Sequence, residues 1–370
     1  MCVQITNQNV DTEKNEAPIS FSVDLIRTVG IILVVMLHVS NEYYTAIYPT
    51  QIESVAYWWA ATIYKFLTLS CVPLFVMLSG ALLLQPSKLN EPIKVFLKKR
   101  ANRIGWAYGF WSAIYLAWGF FISQIPVTFL NVVQGIIIGL FTGPYYHFWF
   151  LYLIAGLYLI TPILRAVVAF RHQNLLRYLI ILWFIAVGIM PLLQLLTGYT
   201  LNTSIFVFGG WIGYFVLGIY LQKVNVRSSF LYALFFVGLI WTVASTWFMN
   251  FLFESLGQDY FFFDYLTANV IVASVSLFLI LSKFKPDWPG SNHPHIGRVV
   301  HAISCNTLPI FLFHVIILES LQRGYFGFKL SLTIINPIIG VPIITIVTFF
   351  ITFGLVLIMG KIPVLKKLIG

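Results

Sequence analysis

The chain has 370 residues, of which 59% are hydrophobic, 17% aromatic and only 9% charged. Soluble domains carry roughly a quarter charged residues because water must solvate their surface, so this composition excludes a soluble enzyme or binding domain. A formal charge of +10 does not make it a nucleic-acid-binding protein, since no soluble basic domain exists to carry that charge.

Taken in chain order, residues 1–20 are polar and mixed in charge, unlike a cleavable signal peptide. They read as a disordered cytoplasmic tail. Apolar runs long enough to cross roughly 30 Å of hydrocarbon follow at 22–45, 57–84, 104–123, 147–166 and 176–197. Five more lie at 205–222, 230–252, 264–283, 300–320 and 333–358. The expectation is an all-α integral membrane bundle of about ten transmembrane helices, forming a single domain over 21–360. The shorter apolar piece at 127–141 reads as a re-entrant or interfacial segment. Residues 361–370 read as a basic cytoplasmic tail.

Charge supplies the orientation. Lys88, Lys94, Lys98, Lys99, Arg100 and Arg103 follow the second run. Later even-numbered junctions hold Arg165, Arg171 and Arg177, then Lys223 and Arg227, then Lys283, Lys285 and Arg298. Odd-numbered junctions hold Glu42 and Glu53, then Glu254 and Asp259, with Arg323 and Lys329 as the exceptions. Basic loops stay cytoplasmic during insertion. The alternation therefore predicts both termini inside, in a multi-pass protein of the cell membrane.

An ionisable group within a bilayer is costly and is by default a functional candidate. The first run, FSVDLIRTVGIILVVMLHVSNEYY, contains Asp24, Arg27 and His38. Eleven residues at 100° each place Arg27 and His38 on one stripe, offset by about 20° and separated by about 16 Å, with Asp24 on the same face. In the functional reading Asp24 orients Arg27, Arg27 holds an anionic or carbonyl group, and His38 acts as a base near neutral pH. In the bland reading Asp24 and Arg27 sit at the interface, with Arg27 snorkelling to headgroups. His314 with Glu319, His147 at the start of the fourth run and Trp149 beside it are further candidates, although Trp149 equally suits an interfacial aromatic belt. Lys65 either snorkels or lines a cavity. His172, His293, His295 and His301 read as solvated. Lys98, Lys99, Arg100 and Arg103 suit anionic lipid or a phosphate-rich ligand. The three cysteines, Cys2, Cys71 and Cys305, show no metal-ligand spacing, and no metal site is expected. Nucleotide-loop, HExxH and Gly-x-Ser-x-Gly motifs are absent, which disfavours an ATP-driven pump, a zinc protease and a serine hydrolase.

Arg27, ten intervening residues and His38, preceded by Asp24, resemble the arginine-x10-histidine signature of the membrane acyltransferase-3 superfamily. VPLFVMLSGALLL (72–84), FLKKRANRI (96–104), HFWFLYLIAGLYLITPIL (147–164), GGWIGYFVLGIYL (209–221) and NTLPIFLFHVI (306–316) are similar to its other motifs, in the same order. The resemblance implies an O-acyltransferase that takes an acyl group, usually acetyl, from cytosolic acetyl-CoA or another acyl-CoA to a hydroxyl of a cell-envelope glycan or a lipid-linked acceptor. The nearest resemblance is to O-acetyltransferases of surface polysaccharides. It further implies His38, Arg27 and Asp24 as catalytic residues. Lys98, Lys99, Arg100, Arg103, Ser79, His147, Trp149 and His314 then become substrate- or CoA-binding residues. Membrane lipid is the surrounding partner. A polysaccharide or proton-coupled transporter is the rival class, because a buried Asp–Arg pair with histidines also suits a proton relay.

Overall fold

The computed structural model describes residues 21–46, 52–169, 173–198, 210–252, 261–284 and 294–370. Among them every regular element is helical. The N-terminal tail, His172, His293, Arg171, Lys285, Glu254 and Asp259 lie outside the described residues.

The chain opens with α1 (Phe21–Ala46), α2 (Ile52–Thr68) and α3 (Cys71–Leu83). Next come α4 (Ile93–Ser123), α5 (Phe129–Thr142), α6 (Trp149–Ala169), α7 (Gln173–Phe184) and α8 (Met190–Thr197). The second half contains α9 (Ile212–Leu221), α10 (Ser228–Leu252), α11 (Ala268–Ser282), α12 (Pro294–Cys305), α13 (Thr307–Arg323), α14 (Pro337–Met359) and α15 (Pro363–Leu368). Helix α1 is the central post, touching α2, α3, α11, α12, α13 and α14. That position explains why its polar groups face protein rather than lipid. Helix α3 is apolar on all sides and buried along almost its whole length, as a core helix must be. It meets α9 backbone to backbone: a Cβ on Gly80 would lie 1.7 Å from the Phe215 carbonyl oxygen, and one on Gly218 would lie 1.8 Å from that of Met77. Only glycine permits this approach, the usual device of close helix pairs in membranes.

Among the described residues seven stretches are long and apolar enough to cross a bilayer, or eight if the bent pair α12–α13 forms one span. The expected count of ten is not confirmed by them, and the reasons are local. Helix α4 is long enough, at 31 residues, but its tryptophans, tyrosines and glycines keep its mean hydropathy modest. At about 1.5 Å per residue it is also longer than the roughly 30 Å hydrocarbon layer, so its basic first turns stand outside. Helix α9 has only ten described residues. The expected ninth span is broken, with α12 and α13 meeting at 75° around Asn306. The expected second span comprises α2 and α3, with a turn at Leu69–Ser70. The 127–141 piece is α5, a 14-residue helix lying on α4. The closing residues are not a free tail: α15 packs on α4, where Trp111 Nε1 donates to the Ile369 carbonyl at 3.4 Å and Ile369 is buried.

Candidate functional site

The first two turns of α1 carry Asp24 and Arg27. The expected pairing of these two side chains is not found. The buried Asp24 carboxylate accepts from Ser304 Oγ at 2.6 Å and faces His301 Nδ1 at 2.7 Å. One turn along, Thr28 Oγ1 donates to the Val300 carbonyl at 3.1 Å. Helix α12 thus brings two polar groups onto Asp24, and the carboxylate fastens α12 to α1. His301, expected to be solvated, is half-exposed but engaged in this tie. His295 and Arg298 remain exposed and contact each other.

Arg27 is left facing a cavity of about 160 Å³, lined also by Arg103, Ser79, Ser304, Thr307, Tyr158 and Phe311. Among the described residues no carboxylate lines it. Two guanidinium groups over a cavity without an acid suit an anionic or strongly polarised oxygen. Of the basic stretch, only Arg103 reaches this lining. Lys98 and Lys99 are exposed beyond it. The Arg100 guanidinium lies over the rings of Phe96 and Tyr158, at 5.4 and 5.6 Å. Nearby, Lys88 donates to the Leu82 carbonyl. Burial, followed by the charges of Arg100 and Arg165, lowers the Lys88 pKa, so an anion arriving here would restore its affinity for a proton. Arg165, expected in a basic loop, is buried. Its Nε donates to the Leu83 carbonyl at 2.7 Å, Nη1 pairs with Glu91 at 3.0 Å, and the guanidinium stacks on Phe96 at 4.5 Å.

Farther along α1, His38 meets the other two candidate histidines. Its ring centroid is 5.1 Å from that of His314, 6.4 Å from that of His147 and 5.3 Å from the ring of Tyr146. The rings of His147 and His314 are 5.7 Å apart. Three helical segments distant in sequence therefore place their imidazoles in one cluster. His314 is fully buried, and its Nδ1 lies 2.7 Å from the Phe311 carbonyl. A carbonyl can only accept, so Nδ1 carries the proton and Nε2 presents its lone pair. That Nε2 and both ring nitrogens of His147 make no well-formed hydrogen bond among the described residues, although the Leu312 carbonyl lies near the His147 ring. Unpartnered buried nitrogens are costly and suit a site that awaits a substrate hydroxyl or carbonyl. Tyr115 supports His147 at 5.0 Å while donating to the Leu312 carbonyl, which also faces His147. Phe311 joins the two regions: it lines the arginine cavity and lies 5.4 Å from His147 and 6.1 Å from His314.

Other sequence candidates lie elsewhere. Trp149 is in a separate aromatic group with Trp211 and Tyr265, 5.8 and 6.0 Å away. Lys65 donates to Asn41 Oδ1 at 3.0 Å and lies over Phe263. Glu319 accepts from Trp118 Nε1 at 2.7 Å and from Tyr145 Oη. Phe311, His301 and Ser304 were missed by sequence reasoning. Phe311 stands three residues before His314, and His301 and Ser304 are three apart on one helix, so helical spacing was the available signal.

A family model described as "Acyltransferase domain" matches residues 20–357, which carry both the arginine cavity and the histidine cluster. The chain belongs to the acyltransferase-3 family. No curated protein and no solved structure matches it. A membrane-bound acyltransferase must bring donor and acceptor together inside a water-poor bundle. In this family member α1 carries Arg27 on the cavity and His38 in the histidine cluster, and Phe311 borders both.

Proposed function

We propose that the protein transfers an acyl group, usually acetyl, from cytosolic acyl-CoA to a hydroxyl of a cell-envelope glycan or its lipid-linked precursor. The observation that carries this reading is the acid-free cavity of Arg27 and Arg103 lying one side chain, Phe311, away from the three clustered histidines. At about 160 Å³ the cavity is small beside a whole nucleotide-bearing donor. It therefore suits the acylated end of a donor and not its nucleotide, whose phosphates would lie outside, against Arg100, Arg103, Lys98 and Lys99.

In this mechanism Arg27 holds the thioester carbonyl and stabilises the oxyanion that develops on it, an interaction strengthened where water is excluded. The histidine cluster removes the acceptor's hydroxyl proton. His38 is the base on α1, and His314, its Nδ1 committed to the Phe311 carbonyl, presents Nε2 to the same space. The acceptor oxygen bonds to the acyl carbon, the carbon–sulfur bond breaks, and the proton passes to the leaving thiolate as free CoA departs. An acyl group carried briefly on His38 gives the same balance in two steps. His147, Ser79 and Asp24 support this path: His147 from the cluster wall, Ser79 from the cavity lining, and Asp24 by holding α12 in place.

Binding of acetyl-CoA to the purified protein in lipid nanodiscs tests the donor assignment. Replacing Arg27 and Arg103 together by glutamine is expected to weaken binding by roughly 30-fold or more, from the loss of two charge-assisted contacts. Unchanged affinity in a folded double variant would remove the donor site from this cavity.

A further inference from the structure

Five helices ring the arginine cavity. Around it α1, α3, α6, α4 and α13 each touch the next, and α13 touches α1 again. An acyl tail inside such a ring has no sideways path to lipid and can point only along the ring's axis. One end of that axis is polar, with Arg27, Arg103 and Ser304. Three phenyl rings line the other end: Phe75 of α3, Phe150 of α6 and Phe311 of α13. They touch in series, the Phe150 ring centroid lying 6.0 Å from that of Phe75 and 5.4 Å from that of Phe311.

The order of residues on each helix puts these rings on the histidine side of the arginines. On α1, Gly30 follows Arg27 by about one turn in the direction of His38. The Phe75 ring is seated on this glycine, where an added Cβ would stand 2.9 Å from Phe75 Cζ. On α13, Phe311 lies between Thr307, a cavity residue, and His314 of the cluster. On α6, Phe150 stands near the start of the helix, close after His147, and Tyr158 of the cavity wall lies two turns later. Phe311 borders His147 and His314 at 5.4 and 6.1 Å, so an acceptor hydroxyl activated by the cluster arrives on its side. Phe75 and Phe150 are the surface that the tail of the acyl group meets.

We propose that Phe75, seated on Gly30, and Phe150 set the length of the acyl group that the enzyme accepts. With the carbonyl oxygen on Arg27, a short tail ends against the two rings, and each further methylene must displace a ring that has a helix behind it. This rests on the transferase reading and adds to it the residues that select the donor. One methylene too many in an apolar pocket changes discrimination by about tenfold or more.

The test compares acetyl-CoA, hexanoyl-CoA and free CoA as ligands of the full-length protein in nanodiscs. Wild-type protein is expected to bind acetyl-CoA at least about tenfold more tightly than hexanoyl-CoA. Phe75→Ala removes the stop and should reduce that preference at least about tenfold, chiefly by tightening hexanoyl-CoA. Gly30→Ala acts in the opposite sense: its methyl group pushes the Phe75 ring into the cavity and should weaken acetyl-CoA itself by about threefold or more. Free CoA has no acyl tail and should bind all three proteins alike. Equal binding of the two acyl-CoAs by wild-type protein, or an unchanged preference in Phe75→Ala that still binds CoA, would overturn the proposal and leave the transferase reading standing. Loss of free CoA binding in parallel with acetyl-CoA in Gly30→Ala would show a general distortion and also count against the stop. No binding of any of the three ligands to wild-type protein would remove the donor site and the transferase reading with it.

Discussion

Single polar side chains decide most of what this bundle can do, because each is expensive to hold in hydrocarbon. Arg27, His38, His147 and His314 were visible in the sequence for that reason: each interrupts an apolar run. What the sequence could not show was which partners they take. Asp24 and Arg27, three residues apart, were natural partners on paper, yet Asp24 is occupied by Ser304 and His301 from a helix some 280 residues later. Arg165 hid in a pattern of loop cations while being buried on Phe96 beside Glu91. Its burial yields a stability prediction. Glu91→Gln leaves a buried guanidinium without its countercharge, whereas Arg165→Met removes the charge and keeps apolar volume against Phe96. Removing one partner of a buried pair is the more damaging change. Glu91→Gln is therefore expected to lower the thermal midpoint more than Arg165→Met, measured by unfolding in detergent. The reverse order would show that the Leu83 carbonyl alone suffices to hold the guanidinium.

At the scale of elements, hydropathy located the helices but not their breaks. An average over a window records how apolar a segment is and nothing about its direction, so the 75° turn at Asn306 and the turn at Leu69–Ser70 were invisible. Helix α4 shows the opposite limit, since its aromatic and glycine content lowers its hydropathy although it is the longest helix described. The α3–α9 contact was legible only as glycines in apolar runs. Its geometry makes a sharp prediction. Gly218→Leu forces a side chain into the Met77 backbone, which cannot yield as a flexible side chain would. Overpacking a well-filled contact costs about 1–3 kcal/mol or more, and α3 carries Ser79 on the cavity wall. Gly218→Leu should lower both the folded yield and acetyl-CoA binding, read by size-exclusion profile and ligand titration. Gly156→Leu, where a Cβ has open space, should leave both unchanged. Equal behaviour of the two variants would contradict the close-packing account.

For the whole molecule, the family and the membrane character follow from an ordered set of motifs over residues 20–357 and from seven or eight apolar stretches. The site follows from their folding around α1. One helix carries an arginine on a cavity and, farther along, an imidazole in the histidine cluster, and Phe311 borders both regions. The direct test is acyl transfer in sealed inside-out vesicles supplied with acetyl-labelled CoA. Wild-type protein is expected to release free CoA and to label a lipid-extractable glycan. His38→Ala should retain acetyl-CoA binding while transfer falls by about 10²–10⁴, the usual contribution of a positioned base. Full transfer by a folded His38→Ala variant would contradict the account.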